Sequence, residues 1–202
     1  MPSPRRYAGK TSAERRAERR EKLLDAGLEL FGTVGYAATT IEMLCAAARL
    51  NPRYFYEEFK TREALLAAVY DRHVARVLTA VGAAIESAPD DPRERLETGL
   101  RAFVAGVLAD PREARVNYFE IVGVNRELEA RRREALRTYA DLIAAQMEQV
   151  APDTTPPGGD RRRAAVALVS ATDGLIIDWL SESRPGDPEV LIATLLDLFV
   201  PS

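Results

Sequence analysis

Residues 39–62 read TTIEMLCAAARLNPRYFYEEFKTR, and the reading of this stretch decides the fold. Thr39 and Thr40 are N-cap candidates for a short helix whose apolar positions are Ile41, Leu44, Cys45 and Ala48. Asn51-Pro52 opens a second helix, because proline suits the first helical position, where its missing N–H has no bond to lose. Phe55, Tyr56 and Phe59 form the apolar side of that helix. A basic helix precedes both. Thr11 and Glu14 make a capping-box pattern at its start, Leu24, Leu28 and Phe31 recur at helical spacing, and Gly32 and Gly35 end it. One helix braces, one is free to enter a major groove, and donors for phosphate flank them. That order predicts a helix-turn-helix reader of double-stranded DNA.

Outward from this stretch the helical pattern continues. Thr61 caps a fourth helix that runs to about Ser87 through Leu65, Leu66, Val69, Val77, Val81 and Ile85. Asp91-Pro92 and Asp110-Pro111 open two more, and Gly123 interrupts the second of these. Asn125 caps a seventh, with Leu136, Tyr139, Ile143 and Met147 inward. After a Pro- and Gly-rich loop at 151–160, a nearly all-apolar helix runs from Arg161 to about Ser183, and a last one starts near Glu189 with Val190, Leu191 and Leu195. No alternating strand pattern occurs. The expected fold is all-α with about nine helices: an N-terminal three-helix head and a helical ligand-binding and dimerisation body. The expected divisions are 1–16 as a flexible basic arm and start of the first helix, 17–62 as the DNA-binding domain, and 63–202 as the body.

Composition narrows the function classes. Among 202 residues, 47% are hydrophobic and 29% charged, which is ordinary for a soluble globular protein. No apolar run approaches the roughly 18 residues that span a bilayer, and no apolar signal core follows the basic N-terminus, so the reading is cytoplasmic with no membrane partner. The single cysteine, Cys45, excludes an internal disulfide framework. The single histidine, His73, is expected at the surface beside Arg72. With one histidine and no GxSxG, HExxH, P-loop or GxGxxG pattern, neither an enzyme, a metal site nor a cofactor is expected. The net charge of −3 conceals a balance of +4 over residues 1–62 and −7 over 63–202. Such a chain turns its head, not its body, towards a polyanion.

The segments LELFGTVGY, TTIEMLCAAA, NPRYFYEEF and KTREALLAAVYD resemble the TetR family of one-component transcriptional regulators over about residues 17–77. Phe31, Gly35, Tyr36, Thr40, Leu44, Ala48, Tyr56, Phe59 and Leu65 fall at matching positions. The resemblance implies a supporting helix at 41–48 and a recognition helix at 52–57. Asn51, Arg53 and Tyr54 then stand where side chains reach base edges, with Arg53 suited to a bidentate bond to guanine. Pro52 offers an apolar face to a thymine methyl. Thr40, besides capping its helix, offers a hydroxyl and free backbone N–H groups to a phosphate. Tyr56 lies where the family places a phosphate-contacting tyrosine, and Arg62 where it usually has lysine. Arg5, Arg6 and Lys10 are candidates for a minor-groove arm. Phe55 and Phe59 read as core. The Arg15-Arg16 and Arg19-Arg20 pairs, interleaved with glutamates, read as a solvated helix face.

Three positions depart from the family pattern. Arg49 replaces the usual turn glycine, where a left-handed backbone is often required, so that either the turn differs in shape or Arg49 compensates with a phosphate contact. Glu57 and Glu58 put two carboxylates near the DNA backbone unless they turn away or pair with Arg53 or Arg62. These positions favour the alternative reading, a TetR-like interaction protein that has lost DNA binding.

The body resembles the family in helix count and in ATDGLIIDWL, which looks like a dimerisation helix. The two C-terminal helices are therefore expected to build a homodimer interface. The resemblance implies a repressor-type regulator released from its operator by a small-molecule effector. Phe103, Tyr118, Phe119, Tyr139, Met147 and Trp179 are the candidates to line an effector cavity, with an apolar or amphipathic effector preferred. Asn117, Asp173 and Asp178 adjoin apolar runs, and any of them that is buried needs a partner from the protein or a ligand.

Overall fold

The computed structural model describes residues 11–150, 157–182 and 186–199. The proposed arm residues Arg5, Arg6 and Lys10, and loop residues 151–156, lie outside the described residues. Among the described residues there are nine α-helices and no strand: α1 Ser12–Thr33, α2 Ile41–Ala48, α3 Pro52–Glu58, α4 Arg62–Ser87, α5 Pro92–Leu108, α6 Pro111–Arg115, α7 Arg126–Val150, α8 Arg161–Ser181 and α9 Glu189–Phe199. A π-helical turn, Val116–Glu120, directly continues α6.

Local chemistry sets nearly every helix start. Glu14 N–H donates to Thr11 Oγ1 at 3.1 Å while the Glu14 carboxylate takes the Thr11 N–H, a complete capping box. Asn51, Asp91 and Asp110 each cap a helix whose first residue is proline, accepting a backbone N–H from Arg53, Glu94 and Arg112. Asn125 takes the Leu128 N–H at 2.9 Å at the start of α7, and Asp160 takes that of Arg163 at 3.1 Å at the start of α8.

The chain forms two compact units. The first holds the described residues up to His73 together with Asp110–Leu128. Its core is Leu23, Leu24, Phe31, Leu44, Phe55, Phe59, Leu65 and Leu66, each less than 5% exposed. Unlike the expected boundary at residue 62, this unit takes in the first part of α4 and the whole α6–π segment. The reason is a close approach. A Cβ built on Gly32 of α1 would stand 2.4 Å from Arg112 Cβ and 2.7 Å from its Cα. Ion pairs then secure the contact: Arg112 meets Glu29 at 2.6 Å and Asp110 at 2.6 Å.

The second unit holds Val74–Ala109 and the chain from Glu129 onward. Leu100 and Val104 of α5, Leu168 of α8, and Ile192, Leu195 and Leu196 of α9 form its core. Ala140 of α7 packs on Ala165 and Val169 of α8, small residues that let two helices approach closely. Asp173 and Asp178 interrupt the apolar run of helix α8. It is long and apolar enough to cross a membrane by length and composition, because its arginines crowd its first turn. Only 22% of its most apolar window is buried within the chain.

Candidate DNA interface

Helix α2 begins at Thr40, whose extended backbone and hydroxyl, accepting the Met43 N–H at 3.3 Å, form an N-cap. Thr40 itself is exposed, whereas Thr39 is buried and donates its hydroxyl to the Gly35 carbonyl. The helix ends at Arg49, in the left-handed region at φ 53°, ψ 46°. The backbone N–H of Leu50 closes the turn on the Cys45 carbonyl at 2.9 Å. Arginine at this glycine position keeps the turn's shape at a conformational cost. Arg49→Gly should raise stability by about 1 kcal/mol, read as a higher midpoint in thermal or urea unfolding. An unchanged or lower midpoint would mean that the Arg49 side chain stabilises the free protein in some other way.

Helix α3 presents a clear division. Phe55 and Phe59 are buried, as the sequence reading had them, and their rings meet at 6.2 Å. Asn51, Pro52 and Arg53 are exposed, and Tyr56 is 58% exposed with its ring against the edge of Phe55. Tyr54 is 37% exposed and stacks under the Arg19 guanidinium at 4.6 Å.

Both carboxylates are paired with arginines. The Glu58 side chain is 3% exposed and turns onto Arg16 at 2.9 Å. Glu57 pairs with Arg53 at 3.0 Å, and Arg19 stands 3.9 Å from it. The basic face of α1, read from sequence as solvated, is in part the bed of α3: Arg16 holds Glu58, Arg19 covers Tyr54, and Arg20 covers Phe59 at 4.5 Å. The signal for this contact was the pair of acids itself, which needed partners.

Arg62 departs from its expected role. It is half-buried, donates to the Thr39 carbonyl and to the Tyr36 carbonyl at 3.3 Å, and lies over the Tyr36 ring at 4.9 Å. Its guanidinium is engaged in holding the α1–α2 connection, because two backbone carbonyls there face inward and need donors. Beside it, the Tyr36 hydroxyl donates to Glu63. Burial and that bond push the Tyr36 phenol up to about 12, and the same bond holds the Glu63 carboxyl below its ordinary range.

His73 corrects another expectation. It is 4% exposed, not at the surface, and its Nδ1 lies 3.0 Å from Glu113 Oε2 of α6. Sequence could not pair them because they are 40 residues apart. The effector candidates are divided. Tyr118 (buried) and Phe119 (42% exposed) stand on the π turn of the first unit. Phe103, Tyr139, Met147 and Trp179 belong to the second, where Phe103 and Tyr139 meet edge to face at 5.1 Å and pack on core clusters. Among the described residues no group of His, Cys, Asp or Glu is arranged to hold a metal.

The pattern of bacterial regulatory proteins of the tetR family matches residues 23–69, and that of the BetI-type transcriptional repressor C-terminal domain matches residues 92–199. The HTH-type transcriptional activator FasR of Mycolicibacterium smegmatis is 26% identical over 174 residues, covering 86% of this chain and 78% of its own. The transcriptional regulator FadR from Bacillus subtilis, solved in complex with stearoyl-CoA, superimposes with a TM-score of 0.79 at 20% identity, over 90% of this chain and 97% of its own. AibR, solved in complex with isovaleryl coenzyme A and operator DNA, superimposes with a TM-score of 0.69 at 18% identity, over 91% and 98%. At these identities the structural likenesses speak for the fold. The two patterns together cover head and body, and the chain belongs to the tetR family of bacterial regulatory proteins, as an all-α DNA-binding transcriptional regulator.

Proposed function

We propose that this protein is a cytoplasmic homodimeric repressor whose two heads, residues 17–62, enter successive major grooves of a pseudo-palindromic operator. The observation that carries the reading is the exposed start of α3. Asn51, Pro52 and Arg53 stand free of the core while Glu58 is folded onto Arg16. That placement answers the argument that Glu58 gave for an interaction protein that has lost DNA binding, and Glu57 is paired with Arg53. Arg53 reads a guanine, and Thr40, Tyr56 and Arg49 take phosphates. Arg62 acts through the α1–α2 connection that it braces.

The dimer forms through α8 and α9. What supports this is the apolar α8, little covered by its own chain, and the outward Val166 and Val190, 41% and 63% exposed. A second copy placed against them by a two-fold axis buries that surface. The effector binds within the helical body, 63–202, and is an acyl thioester of coenzyme A. The ligands of the two fold neighbours support that class, and an amphipathic molecule suits a body rich in partly buried apolar groups. Binding shifts α4, which runs unbroken from Arg62 to Ser87, and so alters the spacing of the heads. A coupling of about 1–3 kcal/mol is enough for a useful switch.

An electrophoretic mobility shift with the DNA upstream of the protein's own gene tests the reading. The expected result is a salt-sensitive, sequence-dependent complex that stearoyl-CoA or isovaleryl-CoA dissolves. Absence of any such complex at micromolar protein defeats the operator reading, and a complex indifferent to both thioesters defeats the effector assignment alone.

A further inference from the structure

Asn117 sits in the π turn Val116–Glu120 and is 7% exposed. Its Nδ2 donates to the Glu113 carbonyl at 2.6 Å. That bond fixes the orientation of the amide, since the flipped form would set two oxygens against each other. Oδ1 is then a buried acceptor with no hydrogen-bond partner. Native proteins rarely leave such an atom unmatched. Among the described residues classed as buried, Asn117 is the one that keeps an orphan side-chain atom. A π turn inside a helix is also a frequent mark of a functional position.

The chemistry around it selects the kind of group it can receive. One helical turn back, the Glu113 side chain is 16% exposed and meets His73. Two oxygen-bearing side chains, Glu113 and Asn117, therefore lie together on the α6–π segment, and a ligand carboxylate or phosphate would be repelled there. A hydrogen-bond donor fits, neutral or cationic, and the acyl-CoA class proposed above supplies a neutral one. The flanking Val116 and Tyr118 and the following Ile121 are buried, so the donor belongs to a molecule that is otherwise apolar at this point.

We infer that Asn117 Oδ1 accepts a hydrogen bond from an amide N–H of the effector, supplied in an acyl-CoA by the pantetheine arm; this rests on the effector reading above. The position has a route to the head within the same unit. Arg115 donates to the Thr33 carbonyl at 2.8 Å, and Glu120 Oε2 accepts the Tyr36 N–H at 2.7 Å. Both contacts grip the α1–α2 connection, which Arg62 holds from its other side through the Thr39 carbonyl. A ligand drawn onto Asn117 pulls on the segment that seats α2.

The test is operator release, followed by fluorescence anisotropy in wild type and Asn117→Leu, with stearoyl-CoA and with stearate, which has no amide N–H. Measured against its own ligand-free operator affinity, Asn117→Leu should need about tenfold more stearoyl-CoA for release, the loss of one hydrogen bond, with an unchanged response to stearate. Equal responses of wild type and variant to stearoyl-CoA overturn the anchor and leave the effector reading standing, with the orphan then matched by a fixed water. A wild type that neither stearoyl-CoA nor isovaleryl-CoA releases overturns the effector reading and the anchor with it. Should thermal melting show that Asn117→Leu does not fold, Asn117→Ala is judged by the same outcomes.

Discussion

Arg53→Ala is expected to weaken operator binding by about 5- to 150-fold for each half-site, the roughly 1–3 kcal/mol that a bidentate arginine–guanine contact carries. The loss should fall on one base pair of each half-site, so that the variant discriminates poorly there and normally elsewhere. Anisotropy titrations against a set of singly substituted operators read this directly. The folded protein should be nearly indifferent. The Arg53 side chain is 83% exposed and its partner in the free protein is Glu57, one helical turn on. An exposed pair of this kind contributes about 0.3–0.5 kcal/mol at most, so the melting temperature should barely move. Uniform weakening over all operators would make Arg53 a phosphate ligand instead. No weakening at all would remove the start of α3 from the interface.

Gly32→Ala is expected to cost about 3 kcal/mol, at the upper end of what overpacking does. The added Cβ would lie 2.4 Å from Arg112 Cβ, 2.7 Å from its Cα and 2.9 Å from its carbonyl oxygen. Two of those three atoms are main chain, so no side-chain rotation makes room; α6 must withdraw from α1. Urea unfolding should show the loss of stability. Operator affinity should fall as well, because the Arg115–Thr33 and Glu120–Tyr36 contacts withdraw with α6. A variant as stable as wild type would mean that α1 and α6 lie farther apart than these distances require.

The two substitutions sample different kinds of knowledge. The exposed start of α3 could be read from Asn51-Pro52 and from the spacing of Phe55 and Phe59, because a cap and an apolar stripe act within one or two helical turns. The helix starts at Thr11, Thr40, Asn51, Asp110 and Asn125 were legible for the same reason. The missing glycine at Arg49 marked the turn but left its shape open, and the backbone there is left-handed. Pairings over long separations were not legible. Arg16 and Glu58 are 42 residues apart, Tyr36 and Glu120 84 apart, and nothing local favours either pair over its rivals.

By itself the chain's sequence determined where helices start and stop, which faces are apolar, and that a helix-turn-helix head leads a helical body, since these follow from backbone capping and short-range periodicity. Only the tertiary structure decided that Glu58 turns onto Arg16, that Arg62 braces a turn rather than standing free, that His73 is buried against Glu113, and that the segment 110–128 joins the head's unit. Each of those outcomes depends on which distant group reaches a buried charge or carbonyl, and that is settled by the packing of whole helices.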